Sequence, residues 1–199
     1  MTSVAVATVE AYSIDPPGIV ADQVLVDEAL GGRGEAFGTL VERYDRAVYH
    51  LAYRTLGDAE EAKDVAQEAF FKAFRSLRTF RPGAKFSTWL FAIAYHACCD
   101  RLNRRKRYSN EELPERADSS AGPEAQAIAS DEAQRLRAAI ALLPEKYRTV
   151  ITLYHLQNRQ YEEIAKVLEM PIGTVKTHLF RAKEQLRRVL NQTAAGVNQ

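Results

Sequence analysis

Two short segments with apolar residues at helical spacing lie on either side of a break between residues 160 and 188. The apolar stripes are Ile164, Ala165 and Leu168 before the break, and Val175, Leu179, Ala182 and Leu186 after it. Glu169, Met170 and Pro171 interrupt the pattern, because proline cannot donate a backbone hydrogen bond but suits the first turn of a new helix. Both stripes need the same small core. The stretch therefore predicts a helix-turn-helix at about 160–181.

The second of these helices carries long hydrogen-bond donors on the face opposite its apolar stripe. They are Thr174, Lys176, Thr177, His178, Arg181 and Lys183. A helix fits the major groove of DNA, where arginine and lysine reach guanine O6 and N7 and threonine or histidine reach base edges or phosphates. An ordinary helical hairpin with a solvated basic face is the alternative, because helix-turn-helix patterns also occur without DNA binding.

The rest of the chain also favours helices. Its 199 residues include 10 Gly and 7 Pro, and apolar residues recur at helical rather than alternating spacing. We expect helices from Asp22, from Glu35 to Leu56, after a cap at Asp58 and after a cap at Ser87. The buried face of the third helix is predicted to hold Ala62, Val65, Ala66, Ala69, Phe70, Ala73, Phe74 and Leu77. These patterns predict an all-α fold.

The composition of one stretch divides the chain. Residues 108–130 contain proline, serine, glycine and several acidic side chains, which is typical of a disordered acidic linker. We therefore predict two small helical domains, at 22–107 and 131–193, with flexible tails at 1–21 and 194–199.

Charge is sorted into blocks although the formal net charge is only +1. Between residues 72 and 107 the only acidic residue is Asp100, against the basic residues Lys72, Arg75, Arg78, Arg81, Lys85, Arg101, Arg104, Arg105, Lys106 and Arg107. The charged residues of the linker that follows are mostly acidic. This sorting indicates separate surfaces for separate partners, one of them polyanionic.

Several classes of function find no support in the sequence. It contains no glycine-rich phosphate loop, no metal-ligand cluster and no nucleophile with a base, so we predict no enzymatic activity, metal or cofactor. No apolar run reaches the roughly 20 residues that span a bilayer. The N-terminal stretch is a poor signal peptide, so we expect a cytoplasmic protein. Adjacent Cys98 and Cys99 do not suit a structural disulfide, and the choice between packing and redox sensing stays open.

Four motifs, in this order and spacing, resemble one known family. They are DVAQEAFFKAF (64–74), FSTWLFAIAYHACCDRLNRRKR (86–107), LPEKYRTVITL (143–153) and YEEIAKVLEMPIGTVKTHLFRAKEQLR (161–187). They resemble the extracytoplasmic-function (ECF) sigma factors, the group 4 members of the sigma-70 family and compact two-domain initiation factors of bacterial transcription. The resemblance implies that the domains are sigma region 2 and sigma region 4.

The resemblance also implies roles for individual residues. Asp64, Gln67, Glu68 and Phe71 match the patch that docks on core RNA polymerase. Arg81, Lys85, Phe86 and His96 match the pocket that captures a flipped base of the −10 element, and Arg101, Arg104 and Arg105 would follow the adjacent phosphates. In the second helix, Lys176, Thr177, His178 and Arg181 match the positions that read the −35 element. We expect the neighbouring donors Thr174 and Lys183 to contact the same DNA. His96 replaces a common Asn, and Lys-Thr-His replaces a common Arg-Ser-Arg, so neither base preference carries over.

The implied partners are core RNA polymerase through its β and β′ subunits, promoter DNA and an anti-sigma factor, without membrane insertion. Two other functions stay open. A stand-alone helix-turn-helix regulator would bind duplex DNA without polymerase and would need a dimer interface. A sigma-like decoy would only sequester an anti-sigma factor, and it would have little need for the cations of the second helix.

Overall fold

The structure, a computed structural model, describes residues 21–108 and 136–195 with the exception of residue 137. Every regular element in these residues is a helix, and no strand occurs among them, which confirms the predicted all-α fold. The predicted linker lies outside the described residues except for Tyr108, as do residues 1–20 and 196–199 of the two predicted tails.

Residues 21–108 form one compact unit. Its helices are α1 (Asp22–Leu30), α2 (Gly34–Leu56), α3 (Ala59–Arg75) and α4 (Phe86–Tyr108), with a single 3-10 turn (Leu77–Thr79) after α3. Helices α2, α3 and α4 pack against one another in pairs, and α1 packs on α2. The outer face of α3 and the basic end of α4 therefore belong to the same small bundle.

The corner between α2 and α3 shows how local sequence sets the helix ends. Gly57 adopts a left-handed conformation with φ of 74°, which ends α2, and its N–H donates to the Tyr53 carbonyl. The Asp58 carboxylate then accepts a hydrogen bond of 2.9 Å from the Glu61 N–H, so the predicted cap is confirmed. The predicted cap at Ser87 is wrong. Helix α4 begins one residue earlier, at Phe86, and Ser87 is buried inside its first turn.

The core of this unit follows the predicted buried face of the third helix with one exception. Leu40, Tyr44, Val48 and Leu51 of α2 are buried, as are most predicted positions of α3. The prediction for Phe74 is wrong, since 52% of the residue is exposed. Phe74 lies at the edge of the α3 stripe, where only one side of its ring meets the bundle.

Most of residues 138–195 form the second unit. A helical stretch at 138–141 precedes α5 (Glu145–Ile151), which continues as a π-helical turn (Thr152–Leu156). Helices α6 (Tyr161–Val167) and α7 (Ile172–Ala195) follow. The predicted apolar positions of α6 and α7 are buried, except that Ala165 is only half-buried. This arrangement confirms the helix-turn-helix.

The turn between α6 and α7 has the expected chemistry. Glu169 adopts a positive φ of 50°, which reverses the chain after α6. The Pro171 carbonyl then accepts the Thr174 N–H at 2.9 Å and starts α7. At the start of α6, the Glu163 carboxylate accepts the Gln160 N–H at 3.0 Å, which is the half of a capping box that needs no serine or threonine.

Candidate functional site

The outer face of α3 brings the four predicted docking residues together. Asp64, Gln67, Glu68 and Phe71 line an open hollow of about 640 Å³, together with Val41, Asp45, Phe70 and Arg101. Phe71 is 60% exposed, although it follows directly after the buried Phe70. An exposed ring beside three carboxylates is a surface that fits a partner with both apolar and basic groups.

The carboxylates of this surface have cations close by. Lys72 Nζ lies 2.7 Å from Glu68 Oε1, and this hydrogen bond is the main reason that the pKa of Glu68 is lowered. Arg101 of α4 reaches across to Asp64, with 3.9 Å between Nη1 and Oδ2. Glu68 is therefore ionised at neutral pH. Arg101 lines the hollow with the acids of α3, and its expected contact with DNA phosphates stays a prediction.

The loop before α4 is held at both ends by aromatic rings. Phe80 and Phe86 flank residues 81–85 and pack with ring centroids 5.8 Å apart, and Trp89 packs on both. Arg81 and Lys85 are exposed between them. Phe86 is only 2% exposed, so its ring has no free face on which a base could stack. In this structure the ring therefore anchors the loop, and the expected base contact by Phe86 stays a prediction.

His96 is exposed on α4. It lies with Ile93 of α4 on the edge of a second hollow, of about 620 Å³, whose other side is formed by Phe71, Lys72 and Arg75 of α3. No residue of 81–86 belongs to the lining of this hollow. His96 therefore borders the predicted docking surface on α3.

Two arginines at the basic end of α4 differ in their surroundings. Arg105 binds Glu61 with 2.7 Å between Nη2 and Oε2, and it donates from Nη1 to the Leu56 carbonyl at 3.2 Å. These bonds tie α4 to the corner between α2 and α3, so Arg105 has a structural role that the sequence did not indicate. Arg104 is exposed on the same helix.

Helix α7 presents most of the predicted DNA-reading residues on its outer face. Lys176, Thr177, Arg181 and Lys183 are exposed, whereas Thr174 and His178 are half-buried. The His178 ring packs edge-on against Tyr147, with centroids 5.5 Å apart. Burial, and then the nearby Lys146 and Arg181, lower the pKa of His178, so its imidazole is neutral at pH 7.

Two kinds of site are not found in the part of the chain that the structure describes. No group of three or more His, Cys, Asp or Glu side chains within these residues is arranged to hold a metal ion. Within the same residues, no helix is long and apolar enough to cross a membrane. Cys98 is buried and Cys99 half-buried, and neither forms a disulfide.

Comparison with known proteins decides the family. The sigma-70 region 2 family matches residues 40–108, and the sigma-70 region 4 family matches residues 133–186. The chain is 35% identical over 176 residues to the ECF RNA polymerase sigma factor SigW of Bacillus subtilis (strain 168). The matched residues cover 83% of this chain and 94% of SigW. The chain belongs to the ECF sigma factors.

Two further comparisons agree with this assignment. The sigma factor is 38% identical over 180 residues to the RNA polymerase sigma-H factor of Pseudomonas aeruginosa, with 85% of this chain and 93% of the relative covered. It also resembles the solved structure of CnrH in complex with the cytosolic domain of CnrY, with a TM-score of 0.64 and 27% identity, over 87% of this chain and 99% of CnrH. The predicted resemblance is confirmed, and the protein is an alternative sigma factor that acts in transcription initiation.

Sequence reasoning missed three aromatic residues on the α6–α7 side of this sigma factor. Phe180 is 67% exposed on α7, next to the predicted reading residues, and its position opposite the apolar stripe was a usable signal. Tyr154 and Tyr161 stack at 5.2 Å with 13° between their planes. Nothing in the sequence pairs these two rings, because they come from different elements.

Proposed function

We propose that the two units divide the work of promoter recognition. Residues 22–107 bind core RNA polymerase through Asp64, Gln67, Glu68 and Phe71, and they recognise and melt the −10 element. Residues 131–193 read the −35 element with the outer face of α7. The linker at 108–130 runs along the channel that nascent RNA uses. Because bacterial transcription takes place in the cytoplasm, we expect the protein in that compartment.

The carrying observation is the outer face of α7. Lys176, Thr177 and Arg181 project from the side opposite a buried stripe, which packs the helix on α5. A helix held in this way can enter the major groove as a rigid body, and its donors then reach base edges and phosphates. His178 is neutral and half-buried, so we assign it to packing and to at most one polar contact.

The α3 surface supports polymerase binding for a different reason. Asp64 and Glu68 frame the exposed Phe71 ring, and such a surface fits a partner that offers an apolar contact with a basic rim. Charge reversal at both acids is expected to weaken polymerase binding without unfolding the chain, since both side chains lie on the outer face of α3. In the sigma family this partner is the β′ subunit, with a further contact to β.

Promoter melting needs no catalytic residue. Opening the duplex at one base costs a few kcal/mol, and capture of the flipped base offsets this cost where the base fits. We assign capture to the exposed loop residues Arg81 and Lys85, and we keep His96 as a base contact at the edge of the α3–α4 hollow. Arg104 would contact the adjacent phosphates, with Arg101 and Arg105 as secondary contacts.

We also propose an anti-sigma factor as a regulatory partner. The solved relative CnrH is in a complex with the cytosolic domain of another protein, CnrY. The docking surface on α3 and the reading face of α7 are both exposed, so a protein that covered either one would block initiation.

Transcription in vitro tests this proposal. The full chain is added to core polymerase with promoters whose −35 and −10 positions are randomised, and transcripts are sequenced. Arg181→Ala is expected to cost about 1–3 kcal/mol at one −35 base pair, and to leave the −10 preference unchanged. Arg188→Ala is the matched control, because Arg188 is exposed on the same helix but pairs with Glu184.

Two results would count against the proposal. Folded protein that neither binds core polymerase nor directs transcription would contradict it as a whole. Unchanged −35 selectivity in Arg181→Ala would remove Arg181 from the reading surface.

A further inference from the structure

Two lysines of α7 rest on a pair of stacked tyrosines. Lys183 Nζ lies 5.1 Å from the centre of the Tyr154 ring, and Lys176 Nζ lies 5.8 Å from the centre of the Tyr161 ring. Both distances are within the roughly 6 Å over which an ammonium group is attracted to the face of an aromatic ring. The two rings are themselves stacked at 5.2 Å. The four side chains thus form one cluster.

The cluster joins residues from three different elements. Tyr154 comes from the π-helical turn, Tyr161 is the first residue of α6, and the two lysines lie on α7. Lys176 and Lys183 are seven residues apart, which is two helical turns or about 10 Å along the axis. A single ring could not contact both ammonium groups at this separation, but two stacked rings can contact one each. Hydrogen bonding with Tyr161 is the main reason that the pKa of Tyr154 is raised.

Other cations of α7 are treated differently. Arg187 and Arg188 lie 3.6 Å and 3.7 Å from the Glu184 carboxylate, which neutralises part of their charge. An aromatic face attracts a cation without cancelling its charge. Lys176 and Lys183 therefore keep a full positive charge while their long side chains are restrained. Restraint matters because a free lysine loses rotamer entropy when it is fixed by a ligand.

We propose that Tyr154 is a positioning residue for promoter binding, which holds the Lys183 ammonium group ready for a backbone phosphate of the −35 duplex. Tyr161 does the same for Lys176. This inference rests on the proposed reading role of α7 and deepens it, since it names how two phosphate contacts are prepared. Tyr154 acts through Lys183 and touches no base.

A double-mutant cycle on the assembled holoenzyme tests the inference. The full chain and its variants are bound to core polymerase, and their affinity for duplex promoter DNA is measured over a range of salt concentrations. Tyr154→Leu keeps an apolar side chain but removes the ring, and Tyr154→Phe keeps the ring. Lys183→Ala removes the ammonium group. Thermal unfolding of each variant and its affinity for core polymerase are measured first, so that only folded and assembled variants are compared.

The expected result has three parts. Lys183→Ala lowers the slope of log affinity against log salt by about 0.9, the value for one phosphate contact. Tyr154→Leu weakens DNA binding by roughly 2- to 5-fold, the equivalent of a partly exposed cation–π contact, and Tyr154→Phe binds like the unchanged protein. In the Lys183→Ala background, Tyr154→Leu has no further effect.

The outcomes separate this inference from the function on which it rests. Equal losses from Tyr154→Leu with and without Lys183 would overturn the positioning role, because the ring would then act on its own or through the fold. No loss from Tyr154→Leu would overturn it as well. In both cases the reading role of α7 would stand. Unchanged affinity and salt slope in Lys183→Ala would refute the phosphate contact itself, and the inference with it.

Discussion

Truncation of Phe71 is the sharpest test of the α3 surface. The ring is 60% exposed in a hollow that it shares with Asp64 and Glu68, so its removal leaves no cavity in the core. We expect Phe71→Ala to weaken binding to core polymerase and to leave the unfolding temperature nearly unchanged. A residue of the core would behave in the opposite way.

The size of the effect follows from the exposed area. Complete burial of a phenylalanine side chain is worth about 1.5–3 kcal/mol. Docking can bury only the 60% that is still exposed, so the loss amounts to about 1–2 kcal/mol. At about 1.4 kcal/mol for each factor of ten, the dissociation constant should rise roughly 5- to 30-fold.

The assay is a titration of labelled full-length protein with core polymerase, followed by fluorescence anisotropy. Phe74→Ala is the matched control, because Phe74 lies one turn further along α3 and is 52% exposed. Its ring packs edge-on against Phe37 at 5.0 Å, so this variant should lose some stability but keep its affinity. A folded Phe71→Ala variant with unchanged affinity would refute the docking assignment, as would equal losses from both variants.

Two further predictions concern stability. Asp58→Ala removes the cap on the Glu61 N–H and should lower the free energy of unfolding by about 1 kcal/mol, measured by urea denaturation against Glu60→Ala as an exposed control. Burial lowers the pKa of both His155 and His178 below the usual 6.5, so the unfolded chain takes up these protons first as the pH falls. Stability should be full above about pH 6.5 and decline below it. Replacing both histidines by glutamine should remove most of this decline, and an unchanged pH profile would contradict the reasoning.

Periodicity and cap chemistry were enough to predict most of the helices. Both act over a few residues, since an apolar stripe repeats within two turns and a cap such as Asp58 bonds a residue only three positions away. The order of four motifs was enough to identify the family. The exposed row of donors on α7 was also predictable, because it lies opposite a continuous apolar stripe.

Contacts between elements determined the rest. Phe86 and Phe71 are both aromatic residues in an apolar pattern, yet one is buried against Phe80 and Trp89 and the other is exposed. The sequence also did not show that Arg105 binds Glu61 and Leu56, because these partners are more than 40 residues away in the chain. The spacing of apolar residues in the sequence predicts which face of its own helix a residue occupies. It does not state which residues of other helices cover that face, and this decides whether a ring or a cation anchors the fold or remains available to a partner.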